Sequence, residues 1–127
     1  MEKGILDEIL MMLKDHSNTD GYVSWATSKL VFSELTIIPD QRRVEVNDRI
    51  ISFTHYEFDM LLVLARHPRQ VFTKKQIYEA VWDDIPISVD AKVECMLYSI
   101  RKKLRKYTDR EYIQTVWGVG YKFDPGT

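Results

Sequence analysis

Hydrophobic residues change their period along the chain, and the changes mark its elements. In Glu2 to Lys14, the residues Ile5, Leu6, Ile9, Leu10, Met12 and Leu13 recur at helical spacing, with Lys3, Asp7, Glu8, Lys14 and Asp15 elsewhere on the wheel. The turn cluster Ser17-Asn18-Thr19-Asp20-Gly21 should stop that helix, and a connector with Tyr22 and Trp25 follows. From Leu30 to Ile51 the pattern shortens. Val31-Phe32, Leu35 to Ile38, Val44 to Val46 and Ile50-Ile51 prefer strands, and Pro39-Asp40 and Asn47-Asp48 separate them as turns. This reads as a small antiparallel sheet.

Two helix starts come next. Thr54-His55-Tyr56-Glu57 and Thr73-Lys74-Lys75-Gln76 both match the capping box, in which the threonine oxygen accepts from the third helical N–H and Glu57 or Gln76 reaches back. The first helix carries Phe58, Leu61, Leu62 and Leu64 and ends before His67-Pro68; the second carries Ile77, Ala80 and Val81 and ends near Trp82-Asp83-Asp84. A third helix is expected from Ser88 to Lys106, capped by Ser88 or Asp90. Its residues Val93, Leu97, Ile100 and Leu104 form a narrow core-facing stripe. Opposite them, at about 100° per residue, fall Lys92, Cys95, Ser99, Lys102 and Lys106, with Tyr98 and Lys103 toward the edges. This outer face is expected to be basic, with Asp90 and Glu94 nearer the flank. Tyr112 to Val116 and Val119 to Phe123, around Trp117-Gly118, then read as a β-hairpin.

Composition bounds the picture. A chain of 127 residues, 45% hydrophobic and 29% charged, fits one globular domain with a short extra segment. Its longest apolar cluster, Ile9 to Leu13, is too short to span a bilayer, and Met1-Glu2-Lys3-Gly4 lacks the features of a secretory signal. The single cysteine, Cys95, has no partner for an internal disulfide, which suits a reducing cytoplasm. The net charge of −1 argues at first against a nucleic-acid partner. Its distribution argues otherwise: residues 88–127 carry eight Lys/Arg against five Asp/Glu, while residues 1–87 carry ten against fourteen. Phosphate binding depends on the local patch.

Two short helices leading into a longer one with a basic face suit a helix-turn-helix. The third helix, about 88–106, would enter the major groove, and the hairpin, 112–123, would reach the neighbouring minor groove or backbone. No cofactor is implied. His16, His55 and His67 are scattered without ligand spacing, so no metal site is expected, and no phosphate loop or nucleophile elbow appears. An enzyme is therefore not expected.

With these motifs in view, the chain from Lys29 to Phe123 resembles the DNA-binding domain of OmpR/PhoB-type response regulators. The resemblance rests on Ile51-Ser52-Phe53-Thr54-His55-Tyr56-Glu57-Phe58-Asp59-Met60-Leu61, His67-Pro68-Arg69-Gln70-Val71-Phe72-Thr73 and Gln76-Ile77-Tyr78-Glu79-Ala80-Val81-Trp82. Ile100-Arg101-Lys102-Lys103-Leu104 and the run from Tyr112 to Phe123 complete it. It implies an α+β winged helix-turn-helix: a four-stranded antiparallel sheet, a three-helix core and a hairpin wing over 29–127, here preceded by an N-terminal helix and connector over 1–28. It also implies binding to direct-repeat promoter sites, as two copies on double-stranded DNA, and regulation of transcription in a phosphorelay setting. By position, Lys74, Trp82, Lys92, Arg101 and Tyr121 would meet phosphates, with Lys102 adding charge. Cys95 and Ser99 would face bases, and Trp117 would approach the minor groove. The loop containing Asp83, Asp84, Ile85 and Ser88 resembles the segment that touches RNA polymerase.

The chain departs from the pattern in three places. It offers a short helix where members carry a receiver domain, so control by phosphorylation within this chain is not expected. The start of the third helix reads Ala91-Lys92-Val93-Glu94, with Met96 at a frequent histidine, and Ser99 replaces a common arginine or asparagine. Plainer roles stand beside the functional ones: Trp82 and Tyr121 as core caps, and Cys95 as a small exposed residue offering an apolar contact to a thymine methyl or none. The first helix would fold onto its own sheet or pair with a second copy. The alternative to DNA binding is a winged-helix module that acts on RNA polymerase or a partner regulator.

Overall fold

The computed structural model describes residues 29–126; the helix expected over Glu2 to Lys14 and its connector lie outside the described residues. Four short strands, β1 (Leu30–Phe32), β2 (Leu35–Ile38), β3 (Arg43–Val46) and β4 (Arg49–Ile51), pair in sequence order as an antiparallel sheet. Alternation decides which face is buried. Leu35 and Ile37 lie opposite Val46 and Val44, and Val44 lies opposite Ile51, so the apolar positions of β2, β3 and β4 share one face. Asn47 and Asp48 both take positive φ, 49° and 67°, as a two-residue type I′ hairpin turn requires. Pro39–Gln41 forms a 3-10 turn, closed by Arg42 in the left-handed region at φ 49°.

Helix α1 (His55–Ala65) follows, then α2 (Lys74–Val81) and α3 (Val89–Arg105). Both expected capping boxes form, at Thr54–Glu57 and Thr73–Gln76. Every residue of α1 from Glu57 to Ala65 is buried, so it is the central helix and packs against both α2 and α3. That explains why Met60, Val63 and Ala65, beyond the four expected, also enter the core. In α3 the buried set is Val93, Leu97, Ile100 and Leu104, the expected stripe. Its start differs from expectation. Ser88 stands at the cap position in the left-handed region, φ 54°, with no side-chain cap bond, and Asp90 lies inside the first turn. An N-cap side chain usually accepts from the helical N–H groups out of an extended backbone, which Ser88 does not have, so the first turn is entered without a side-chain cap.

The hairpin β5 (Ile113–Val116) and β6 (Gly120–Phe123) closes the fold. Phe72, ahead of α2, exchanges two main-chain hydrogen bonds with Tyr121, at 2.8 and 2.9 Å, and so adds a third segment to the wing. A Cβ on Gly120 would lie 1.9 Å from the Phe72 carbonyl oxygen, so only glycine fits that approach. At the other end, the Tyr112 hydroxyl donates to Phe32 O at 2.9 Å and accepts from Glu34 N at 3.0 Å. With Phe32 and Tyr112 packed on Phe123, the wing is tied to the sheet. No helix among the described residues is long and apolar enough to cross a membrane.

Candidate nucleic-acid interface

The surface that the sequence singles out is the outer side of α3 together with the wing. Ala91, Glu94, Cys95, Tyr98 and Lys102 are exposed and fall at i, i+3, i+4, i+7 and i+11, which places them on one face. Tyr98 is 64% exposed. A groove beside the N-terminal half of this face is lined by Lys74 and Lys75 of α2, Asp90 and Glu94 of α3, and Thr115, Trp117 and Tyr121 of the wing. Trp117, at the wing tip, is 88% exposed. Helix, wing and the start of α2 therefore form one continuous surface.

The free face is rotated from the expected one, and neighbouring helices are the cause. Ser99, a base-facing position by the resemblance, is half-buried and donates to the Glu57 carboxylate. Lys103 reaches the same group, its Nζ lying 2.6 Å from Glu57 Oε1 and 3.2 Å from Ser52 O. The start of α1 thus claims one flank of α3. Burial pushes the Glu57 carboxyl pKa up, but hydrogen bonds from Lys103, Ser99 and the Thr54 N–H outweigh it and hold it below the ordinary carboxylate range. Lys92 turns toward α2, with Nζ 3.4 Å from the Tyr78 hydroxyl and 4.0 Å from Asp84. Glu94, expected nearer the flank, is exposed on the free face beside Cys95 and Tyr98, so that face is not purely basic. It accepts a hydrogen bond from Lys74, and that bond raises the lysine's pKa.

The remaining candidate residues divide by what holds them. Arg101 is half-buried and joins α3 to the wing: its guanidinium donates to Ile113 O at 3.2 and 3.0 Å and to Thr115 Oγ1 at 2.9 Å. It lies 5.6 Å from the Tyr121 ring centre, and burial lowers its pKa. Tyr121 is 8% exposed, its main chain taken up by Phe72. Trp82 caps α2 and is sandwiched between Tyr56 and Tyr78, with ring centres 5.2 and 4.9 Å away. Cys95 is exposed, and Lys102 is exposed with no ion-pair partner among the described residues. In the loop from Asp83 to Ser88, Asp84 accepts from the Tyr78 hydroxyl while Ile85 and Ile87 stand open to solvent.

By helical periodicity Glu94 and Tyr98 fall at the edge of the face, and no local pattern singles out Lys75 or the anchoring role of Glu57. A helical wheel locates the buried stripe, but it does not say which neighbour covers each flank.

Comparison with known proteins adds to this geometry. The family model described as "Transcriptional regulatory protein, C terminal" matches residues 47–123. The transcriptional regulatory protein YclJ of Bacillus subtilis is 38% identical over 107 residues, which is 78% of this chain and 47% of YclJ. The chain thus spans about half the length of the curated relatives it matches. Among solved structures, the Klebsiella pneumoniae RstA DNA-binding domain, in complex with the RstA box, superposes with a TM-score of 0.69 at 29% identity, covering 77% of this chain and 98% of that one. The Thermotoga maritima response regulator DrrB, an OmpR/PhoB homologue, superposes at 0.71 with 29% identity, covering 92% of this chain and 52% of that one.

Proposed function

The chain belongs to the family of transcriptional regulatory protein C-terminal domains, and from that premise we propose that it is a sequence-specific double-stranded DNA-binding transcription regulator. In this reading α3 lies in the major groove, and the wing, led by Trp117, meets the adjoining minor groove or backbone. One observation carries it: the face Ala91, Glu94, Cys95, Tyr98 and Lys102 is open to solvent and continuous with the wing and the start of α2. A major groove about 12 Å wide admits one α-helix presented this way. Lys75, Lys102 and Lys106 supply phosphate affinity from exposed positions. Lys74 joins them once a phosphate displaces Glu94. Lys92, Arg101, Trp82 and Tyr121 act from behind, by fixing helix and wing.

Two copies on direct-repeat sites, a cytoplasmic location and the absence of catalysis belong to the same reading. So does a contact between RNA polymerase and the loop containing Asp83, Asp84, Ile85 and Ser88. The solvent-open Ile85 and Ile87 favour a second reading, in which that loop engages a protein partner and DNA is not bound. Selection from a randomised duplex library at low salt separates the two. Enrichment of a motif supports DNA recognition, and failure to retain any duplex supports the interaction module.

A further inference from the structure

The chemistry of the free face of α3 points to what it reads. Side chains that pair with purines through two hydrogen bonds are arginine, asparagine and glutamine, with lysine also reaching guanine. The helix Val89–Arg105 contains no asparagine or glutamine. Its two arginines are engaged elsewhere: Arg101 with Ile113 O and Thr115, and Arg105 in a bidentate pair with Glu111 at 3.0 and 2.9 Å. Ser99 is held by Glu57, and Lys92 turns toward Tyr78 and Asp84. On the open face there remain the small or apolar surfaces of Ala91, Cys95 and Tyr98, with Glu94 neutralised by Lys74 at one side and Lys102 at the other.

Resting on the DNA-binding reading above, we propose that Ala91, Cys95 and Tyr98 recognise thymine C5-methyl groups in the major groove, so that the half-site is thymine-rich where α3 enters. The thymine methyl is the one apolar feature on a base edge in that groove. A methyl, a thiol and an aromatic ring spaced over two helical turns offer a matching apolar strip. Lys74 and Lys75 line the groove beside the strip, Lys102 follows it one turn on along the same face, and their charge gives the phosphate affinity that an apolar readout lacks. Glu57 acts on specificity as a positioning residue, because it withdraws Ser99 and Lys103 toward α1 and so removes two hydrogen-bonding side chains from the face that carries the strip.

The test uses the full chain and the duplex it selects from a random library. Each thymine of that duplex is replaced in turn by deoxyuridine, which keeps every hydrogen-bonding group and removes only the methyl, and affinity is read by fluorescence anisotropy at fixed salt. We expect about a fourfold loss at one or more thymines per half-site, the value of one buried methyl. Cys95→Asn should abolish the thymine-over-uracil preference at one position and favour adenine there, with the melting temperature of the variant reporting that it folds. Retained affinity on every uracil-substituted duplex overturns the methyl readout while DNA binding stands. Failure to select any duplex overturns both.

Discussion

Lys103 donates to Glu57 Oε1 across 2.6 Å, and Ser99, one turn earlier on α3, donates to the other carboxylate oxygen. Because Glu57 also accepts from the Thr54 N–H, a single carboxylate both caps α1 and fixes the rotation of α3. The group is 4% exposed, so its charge is compensated by these partners and not by water.

Replacing Glu57 by Gln keeps the shape and part of the cap but removes the charge. We expect a loss of about 1–3 kcal/mol at pH 7, read by denaturant unfolding. The folded pKa of Glu57 is lowered from 4.5, so its contribution is fully present above that value and is lost as pH falls through the folded pKa. The stability difference between wild type and variant should therefore be constant above about pH 5 and close in more acidic buffer. A difference that grows on acidification contradicts the assignment.

Gly120→Ala should destabilise the wing selectively. The added Cβ meets the Phe72 carbonyl oxygen at 1.9 Å, and that oxygen accepts from Tyr121 N. We expect about 2 kcal/mol or more of lost stability, with loss of hydrogen-exchange protection at the Tyr121 and Phe72 amides. Gly118→Ala makes a useful contrast. At φ +80° it strains the turn but meets no atom within 4 Å, so it should cost less.

Arg101→Lys should behave nearly as badly as Arg101→Ala. The guanidinium contacts Ile113 O through two nitrogens and Thr115 through one of them, a geometry that an ammonium does not reproduce. Both variants should reduce duplex affinity through a displaced wing, with the change visible before DNA is added as lost hydrogen-exchange protection in β5 and β6. Unchanged protection with lost affinity would instead mean that Arg101 itself meets phosphate.

Lys102→Ala should weaken binding uniformly across sequences and lower the slope of log K against log salt by about one, as loss of one phosphate contact does. Lys92→Ala should leave that slope unchanged and loosen the loop near Asp84 instead. Equal slopes for wild type and the Lys102 variant would place that residue outside the interface.

Features carried by neighbouring residues were legible in the sequence. The capping boxes at Thr54 and Thr73 need only side chains three residues apart, and both formed where their pattern stood. The stripe Val93, Leu97, Ile100 and Leu104 is likewise a local periodicity. What the sequence did not disclose is long-range. Ser99 meets a carboxylate 42 positions away, and Tyr112 anchors the wing to a strand 80 positions earlier. No wheel indicates that α1 covers the Ser99 flank and leaves Glu94 open, so periodicity alone centres the face on Lys92 and Ser99. Trp82 was ambiguous for the same reason, since its partner Tyr56 lies on another helix.

The central claim is that the exposed side of α3 and the wing enter a duplex together. Backbone amide chemical shifts of the full chain, titrated with its selected duplex, test it residue by residue. Large changes should gather at Ala91, Cys95, Tyr98, Lys102 and Trp117, with the outer sheet residues Val31 and Ile50 unmoved. Changes confined to the sheet or to the loop at Ile85, with α3 silent, would contradict it.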